Sequence, residues 1–250
     1  MLSISALPCL DDNYIWLLRR GRALVAVDPG DAAPLADLMD ENNLTLAAIL
    51  LTHRHFDHIG GVAALVAKHP VPVYGPEGIA GVDHPLRDGD TLELLGEPVE
   101  VIATPGHTRE HLSYLASGAL FCGDTLFAGG CGRVFDGEPG ALYASLRRLA
   151  CLPAQTRVCC THEYTLANLK FAAEVEPSNA TIALRLEQEQ ARRASGRPTL
   201  PSSIALELET NPFLRCETAE VVRSARKNAP DATSAESVFI ALREWKNHFK

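Results

Sequence analysis

The chain has 250 residues, 46% hydrophobic and 22% charged, with a net charge of −8. That length supports one sizeable core, or a core plus a smaller unit, and the acidic balance argues against a nucleic-acid partner. No apolar run approaches the roughly 20 residues a bilayer span requires, and Met1 to Leu10 shows neither a basic n-region nor a small-residue cleavage site, so no membrane partner and a cytoplasmic location are expected.

Short apolar runs predict strands at Tyr14–Leu18 and Ala23–Val27, the second closed by the turn Asp28-Pro29-Gly30. Helical spacing follows over Pro34–Glu41, then a strand at Ala47–Leu51 and a helix at Gly60–Lys68. Further strands are predicted at Val71–Tyr74, Thr91–Leu94, Val99–Ala103, Leu112–Leu115, Ala119–Cys122 and Val158–Cys160, with a helix at Gly140–Leu149. Beyond His162 the pattern changes. Leu166–Glu174, Ile182–Ala194, Ala219–Asn228 and Ser234–Asn247 read as helices, broken at Ser195-Gly196-Arg197-Pro198 and Asn211-Pro212. A domain boundary is expected near 165, giving domains 1–165 and 166–250. The seven cysteines include no Cys-x-x-Cys pair; they read as reduced thiols, not as a disulfide framework or zinc ribbon.

The run His53-Arg54-His55-Phe56-Asp57-His58 follows one predicted strand and precedes Gly60-Gly61 and a helix. Three His and one Asp within six residues exceed what one tetrahedral ion takes from a single loop, so two ions are the natural solution. A donor set without Cys suits divalent zinc, iron or manganese. His107, Asp124 and His162 each follow a predicted strand, where loops from different strands meet. A single His is usually a surface or satisfied core group; it is the combination that carries the signal. His69 and His84 read as surface loop residues, and His111 as a supporting or plainly structural group.

These residues resemble the metallo-β-lactamase superfamily, with its His-x-His-x-Asp-His signature and later His, Asp and His. Gly123-Asp124-Thr125-Leu126-Phe127, Gly130-Cys131-Gly132-Arg133, Thr161-His162-Glu163-Tyr164-Thr165 with Asn168-Leu169-Lys170-Phe171, Asn211-Pro212-Phe213-Leu214-Arg215 and the tail from Leu242 to Lys250 narrow the resemblance to the glyoxalase II (hydroxyacylglutathione hydrolase) family. It covers essentially the whole chain. It implies an α+β fold, a four-layer αββα sandwich with a C-terminal helical domain. It also implies that His53, His55 and His107 hold one metal, that Asp57, His58 and His162 hold a second, and that Asp124 bridges both. Asp57 and Asp124 are then the candidate catalytic carboxylates. The implied cofactor is two divalent ions, most simply zinc.

The implied reaction is hydrolysis of an S-(2-hydroxyacyl)glutathione, chiefly S-D-lactoylglutathione, to glutathione and D-lactate, a step of methylglyoxal detoxification. A water held by two cations has its pKa lowered from about 16 to roughly 7, and a thiolate leaves with little need for a general acid. No Gly-x-Ser-x-Gly elbow is present. Residues 1–168 hold 11 basic and 20 acidic side chains, net −9; residues 169–250 hold 12 and 11, net +1. The C-terminal part can therefore supply cations to an anionic substrate. By resemblance, Arg133, Tyr164, Arg243 and Lys246 contact the glutathione part. Arg243 and Lys246, three apart on a predicted helix, share a face. A monomer is expected.

Three positions depart from the family pattern. Arg54 stands where many relatives have His, and Phe135 where some have Tyr. Glu110 replaces the Gly of His-Thr-x-Gly-His; a positive φ there would strain Glu by roughly 1 kcal/mol or more. The competing readings are another superfamily enzyme, such as a lactonase, ribonuclease, β-lactamase or persulfide dioxygenase, and a non-catalytic metal-binding protein. A ribonuclease should be more basic, and a β-lactamase usually lacks an equivalent of Asp124.

Overall fold

The computed structural model describes residues 2–249; Lys250, the end of the tail motif, lies outside them. In chain order the elements begin with β1 (Ser3–Cys9), β2 (Asn13–Arg20), β3 (Ala23–Val27), α1 (Ala33–Asn42), β4 (Thr45–Leu50), α2 (Phe56–Ile59), α3 (Val62–Lys68), β5 (Val73–Pro76) and β6 (His84–Leu86). They continue with β7 (Thr91–Leu94), β8 (Glu97–Ala103), β9 (Leu112–Ala116), β10 (Ala119–Gly123), β11 (Leu126–Phe127), β12 (Gly130–Cys131), α4 (Pro139–Ala150) and β13 (Arg157–Cys160). The rest is α5 (Thr165–Val175), α6 (Ala180–Ala194), β14 (Ser202–Ser203), α7 (Ile204–Thr210), a 3-10 turn (Pro212–Leu214), α8 (Ala219–Ala225) and α9 (Ala235–His248). Among the described residues no helix is long and apolar enough to cross a membrane. Two compact units result. One is the chain up to Thr104 with Glu110–Gly123 and Cys159–His162; the other is Pro105–Arg109, Asp124–Val158 and the chain from Glu163 onward.

The first unit contains a sheet in the order β1-β2-β3-β4-β5-β6, antiparallel up to β3 and parallel beyond it. Ile15, Leu17, Leu24, Ala26 and Ile49 pack on Leu35 and Met39 of α1 and on Val62 and Leu65 of α3. The alternate residues meet a second sheet, built from β7, β8, β9 and β10 in antiparallel order and continued by the Cys159–Cys160 end of β13. The Trp16 ring lies 6.4 Å from Phe121, and its indole N–H donates to the Cys160 carbonyl at 2.9 Å. The Tyr114 hydroxyl donates to the Leu51 carbonyl. With both faces covered, β2 and β3 need no polar alternation, and Asn13–Leu18 are all buried.

The second unit is mostly helical. Phe213 links Phe171 and Phe239, at ring separations of 5.9 and 5.7 Å, and Leu142, Leu146, Leu169, Ile182, Val221 and Leu242 complete an apolar centre. Arg157 and Val158 of β13 pair with Ser203 and Ser202 of β14, and β11 pairs with β12 in a two-stranded hairpin.

Most predicted strands and helices recur within a few residues. The predicted helix at Gly60–Lys68 is preceded by the short α2, and Gly61 is the N-cap of α3. The predicted helix over 219–228 stops at Ala225. The sequence pattern predicts no element at β1, α7 or the short strands β6, β11, β12 and β14: β1 is a half-exposed edge strand with a weak apolar pattern, and α7 starts on a Ser203 cap to the Leu206 N–H. His84 lies on edge strand β6, exposed, instead of in a loop.

Helix α6 begins at Asn179, whose side chain accepts from the N–H groups of Thr181 (3.1 Å) and Ile182 (3.4 Å). Asn179→Ala should cost about 1 kcal/mol and lower Tm by roughly 2–4 °C, measured by thermal unfolding, with hydrolytic activity unchanged.

Candidate metal centre

Five of the seven candidate ligands sit in the first unit. β4 delivers His53 and His55 in an extended segment, and α2 then turns Asp57 and His58 inward. His162 follows β13 and is fixed by an antiparallel bridge to Asn13 and by the Tyr14 N–H bond to the Thr161 carbonyl (2.8 Å). Ligand atoms of Asp57, His58 and His162 all lie within 4.8 Å of one another. Asp57 Oδ2 stands 3.5 Å from His58 Nε2 and 3.4 Å from His162 Nε2. His53 Nε2 is 3.0 Å from His55 Nδ1.

The imidazoles are oriented from behind. His58 Nδ1 donates to Asp28 Oδ2 at 2.9 Å and His162 Nδ1 to Asp12 Oδ1 at 2.7 Å. The Thr52 hydroxyl gives its proton to Asp28 Oδ2 (2.7 Å), so it accepts from His53 Nδ1 (3.0 Å). Acceptors on Nδ1 fix the tautomer that leaves the lone pair on Nε2, the form that binds a metal. Asn13 donates to Asp57 Oδ2 at 3.0 Å. Close backbone approach does the rest: a Cβ at Gly30 would collide with the Asp57 carbonyl oxygen. His111, buried, stacks on His53 at 4.9 Å and bonds Thr104 Oγ1 through Nδ1 at 3.0 Å.

Asp12, Asn13, Asp28 and Thr52 escape a reading of the sequence. Asp28-Pro29-Gly30 signals a turn, and nothing local says that its Asp holds a histidine 30 residues on. The one trace is backbone: Asp28 has φ +53°, uncommon for a non-glycine residue.

Glu110 lies outside the positive-φ positions among the described residues, so the strain expected there is absent. Its carboxylate instead accepts from the Arg54 backbone N–H (3.3 Å) and the Arg54 guanidinium (2.5 Å).

The second unit carries His107 and Asp124, with His107 Nε2 3.5 Å from Asp124 Oδ2. His107 Nδ1 donates to the Arg133 carbonyl at 2.8 Å, and the exposed Phe135 ring lies 5.1 Å from the imidazole. The four candidate substrate residues belong to this unit as well. Arg133 is exposed. Tyr164, partly exposed, sets its ring edge-on to Phe127 at 5.5 Å. Lys246 donates to the Ala167 carbonyl at 3.1 Å and lies over Phe171 and Phe249. Burial, then the charges of Arg243 and Arg133, push its ammonium down to about 8. Arg243 is 6% exposed. Its Nη1 donates to the carbonyls of Cys131 (2.8 Å) and Gly132 (3.4 Å), its Nη2 to Asn247 Oδ1 (3.2 Å).

Divalent metal suits these residues on two counts. Tetrahedral ligands about 2.1 Å from an ion stand about 3.4 Å apart, which is the spacing found around Asp57 Oδ2. The Nδ1 partners have already selected the metal-binding tautomer. Asp28→Asn would keep the shape but weaken the acceptor on His58, and should lower metal affinity 10–100-fold in a chelator competition; unchanged affinity would show that Asp28 is dispensable.

Residues 10–162 match the family model of the metallo-beta-lactamase superfamily, and residues 163–249 that of the hydroxyacylglutathione hydrolase C-terminus. A hydroxyacylglutathione hydrolase of Pseudomonas fluorescens is 51% identical over 100% of both chains. One of Alkalilimnicola ehrlichii is 53% identical over 99% of each. The solved structure of TTHA1623 in a di-iron-bound form is 29% identical with a TM-score of 0.58, over 81% of this chain and 95% of that one. The fold is the metallo-β-lactamase fold, of the α+β class, with a C-terminal helical domain, and the chain belongs to the hydroxyacylglutathione hydrolase family of that superfamily.

Proposed function

We propose that this chain hydrolyses S-(2-hydroxyacyl)glutathione, chiefly S-D-lactoylglutathione, to glutathione and D-lactate, within methylglyoxal detoxification. The observation that carries the reading is the match of residues 163–249 to the hydroxyacylglutathione hydrolase C-terminus, because the metal-ligand motif alone serves many reactions. The meeting of the two family matches at 162 and 163 supports a catalytic domain 1–165 and a glutathione-binding domain 166–250.

His53, His55 and His107 would hold one divalent ion; Asp57, His58 and His162 would hold a second, with Asp124 shared by both. Zinc is the first expectation, while iron and manganese accept the same donors. When bound, the ions supply a water acidic enough to ionise near neutral pH and a Lewis acid for the carbonyl oxygen. The protein's own part is positioning. Asp28, Asp12 and Thr52 set the imidazole tautomers, and Asn13 steadies Asp57. Water adds across the acyl C–S bond and the sulfur departs as thiolate, so no side chain has to protonate it.

Two carboxylates make glutathione anionic, and Arg133 and Lys246 answer that charge, with Tyr164 offering a phenol hydroxyl. Arg243, its Nη1 engaged by Cys131 and Gly132 and its Nη2 by Asn247, serves these contacts from behind. The decisive experiment pairs metal analysis with the loss of thioester absorbance from S-D-lactoylglutathione. Two ions per chain and turnover abolished by chelation are expected; one ion and no turnover would refute the reading.

The ammonium of Lys246, held near 8, is charged below that pH and is lost as pH rises through it. KM for the thioester should therefore climb between pH 7 and 9. Lys246→Arg should flatten the rise, because a guanidinium keeps its charge; the substrate's own amine titrates alike with both enzymes. An identical profile for both would remove Lys246 from substrate binding.

A further inference from the structure

We infer that Glu207 and Asn211 are positioning residues, a buried clamp that fixes the β11–β12 hairpin and, through it, Asp124, His107 and Arg133. The inference rests on the reading of Asp124 and His107 as metal ligands.

The hairpin begins two residues after Asp124 and ends two before Arg133. Its two strands are only two residues each, too short to hold themselves. Side chains from elsewhere in the unit bind its backbone instead. Asn211 Nδ2 donates to the carbonyls of Phe127 (3.2 Å) and Gly130 (2.9 Å). Asn168 Nδ2 donates to the Ala128 carbonyl at 3.1 Å, and the Gly129 N–H donates to Glu207 Oε2 at 2.7 Å. Arg243 closes the far end on Cys131 and Gly132. Four consecutive residues, 127 to 130, thus each have a backbone group bonded to a side chain.

Glu207 is the hub. It is fully buried, and each oxygen has two donors: Oε2 takes Gly129 N–H and Asn211 Nδ2 (3.0 Å), Oε1 takes Arg185 Nη2 (2.8 Å) and Ser202 Oγ (2.5 Å). Asn211, also fully buried, is oriented by Glu207 and by its own Oδ1 bond from the Phe213 N–H (3.1 Å). A buried carboxylate with this many donors is expensive to assemble unless every partner is in place. What it fixes lies at the candidate centre. A Cβ at Gly132 would collide with the Asp124 carbonyl oxygen, the Gly132 N–H donates to Thr125 O at 3.2 Å, and the Arg133 carbonyl receives His107 Nδ1. A shift of the hairpin therefore moves a carboxylate ligand and the acceptor that sets an imidazole.

The test uses Asn211→Ser, which removes both amide bonds to the hairpin and the one to Glu207, while its hydroxyl can still cap the Phe213 N–H. Asn168→Ala, which removes one hairpin bond, is the milder second variant should Asn211→Ser fold poorly. The control is Glu176→Gln, which weakens the bonds to Arg215 (2.7 and 3.0 Å) and has no bond to the hairpin. Metal retention is followed against a chelator well below Tm, with kcat and KM taken separately. Clamp variants should lose metal 10–100-fold more readily, with a fall in kcat partly restored by excess metal. Glu176→Gln should lose Tm alone. Clamp variants that lose Tm yet retain metal like wild type would overturn the inference. Asp124→Asn, run in parallel, separates the two failures: full metal retention there overturns the ligand reading and the inference with it, while metal loss there alone overturns only the clamp.

Discussion

Asp28 closes β3 in a left-handed conformation and turns both carboxylate oxygens onto the ligand loop. Oδ1 accepts the Thr52 N–H at 2.8 Å; Oδ2 accepts the Thr52 hydroxyl and His58 Nδ1. One buried anion thereby sets the backbone where the loop leaves β4, the ring of His53 through Thr52, and the ring of His58 directly. The second sheet meets the same point, since the Leu112 N–H donates to the Thr52 carbonyl at 2.9 Å. An anion buried at this depth demands donors, and the ligand loop supplies them. Carboxylate and loop order each other.

The second unit solves the same problem with different parts. There the candidate residues flank a hairpin instead of a sheet edge, and the buried acid is Glu207. The shared logic is that an imidazole or carboxylate held for chemistry is placed by a backbone segment, and that segment is held by a fully satisfied buried acid. The exposed pair Arg54–Glu110 does a lighter version of this. Its charges are screened by solvent and contribute little alone, but the Arg54 N–H bond ties the loop between His53 and His55 to a fixed point.

The seven candidate ligands were legible in the sequence because their chemistry is clustered: four in six residues, and three more directly after apolar runs. The strands of the sandwich were legible as apolar runs for the same reason that they are buried on both faces. What could not be read is what depends on contacts far apart in the chain. Asp28 and His58 are 30 residues apart, Asp12 and His162 150 apart; each Asp looks like a turn residue locally. A glycine pattern at position 110 implies strain for Glu110, and the structure avoids it with a backbone outside the positive-φ region. Arg243 and Lys246 share a helix face, as their spacing implied, yet that face does two jobs: one guanidinium holds a backbone while the ammonium beside it stays nearer to solvent.

That division bears on how an acidic protein binds an anion. Burial first, then the charges of Arg243 and Arg133, disfavour the Lys246 ammonium. Because the depressed pKa belongs to the folded state, this group contributes stability as pH rises from about 8 toward its ordinary value; at neutral pH the charged lysine is a strain on the fold. A carboxylate bound there would reverse the balance, raising the lysine pKa and relieving the repulsion. The charged Lys246 is therefore unfavourable to the fold, and a bound carboxylate would offset that cost.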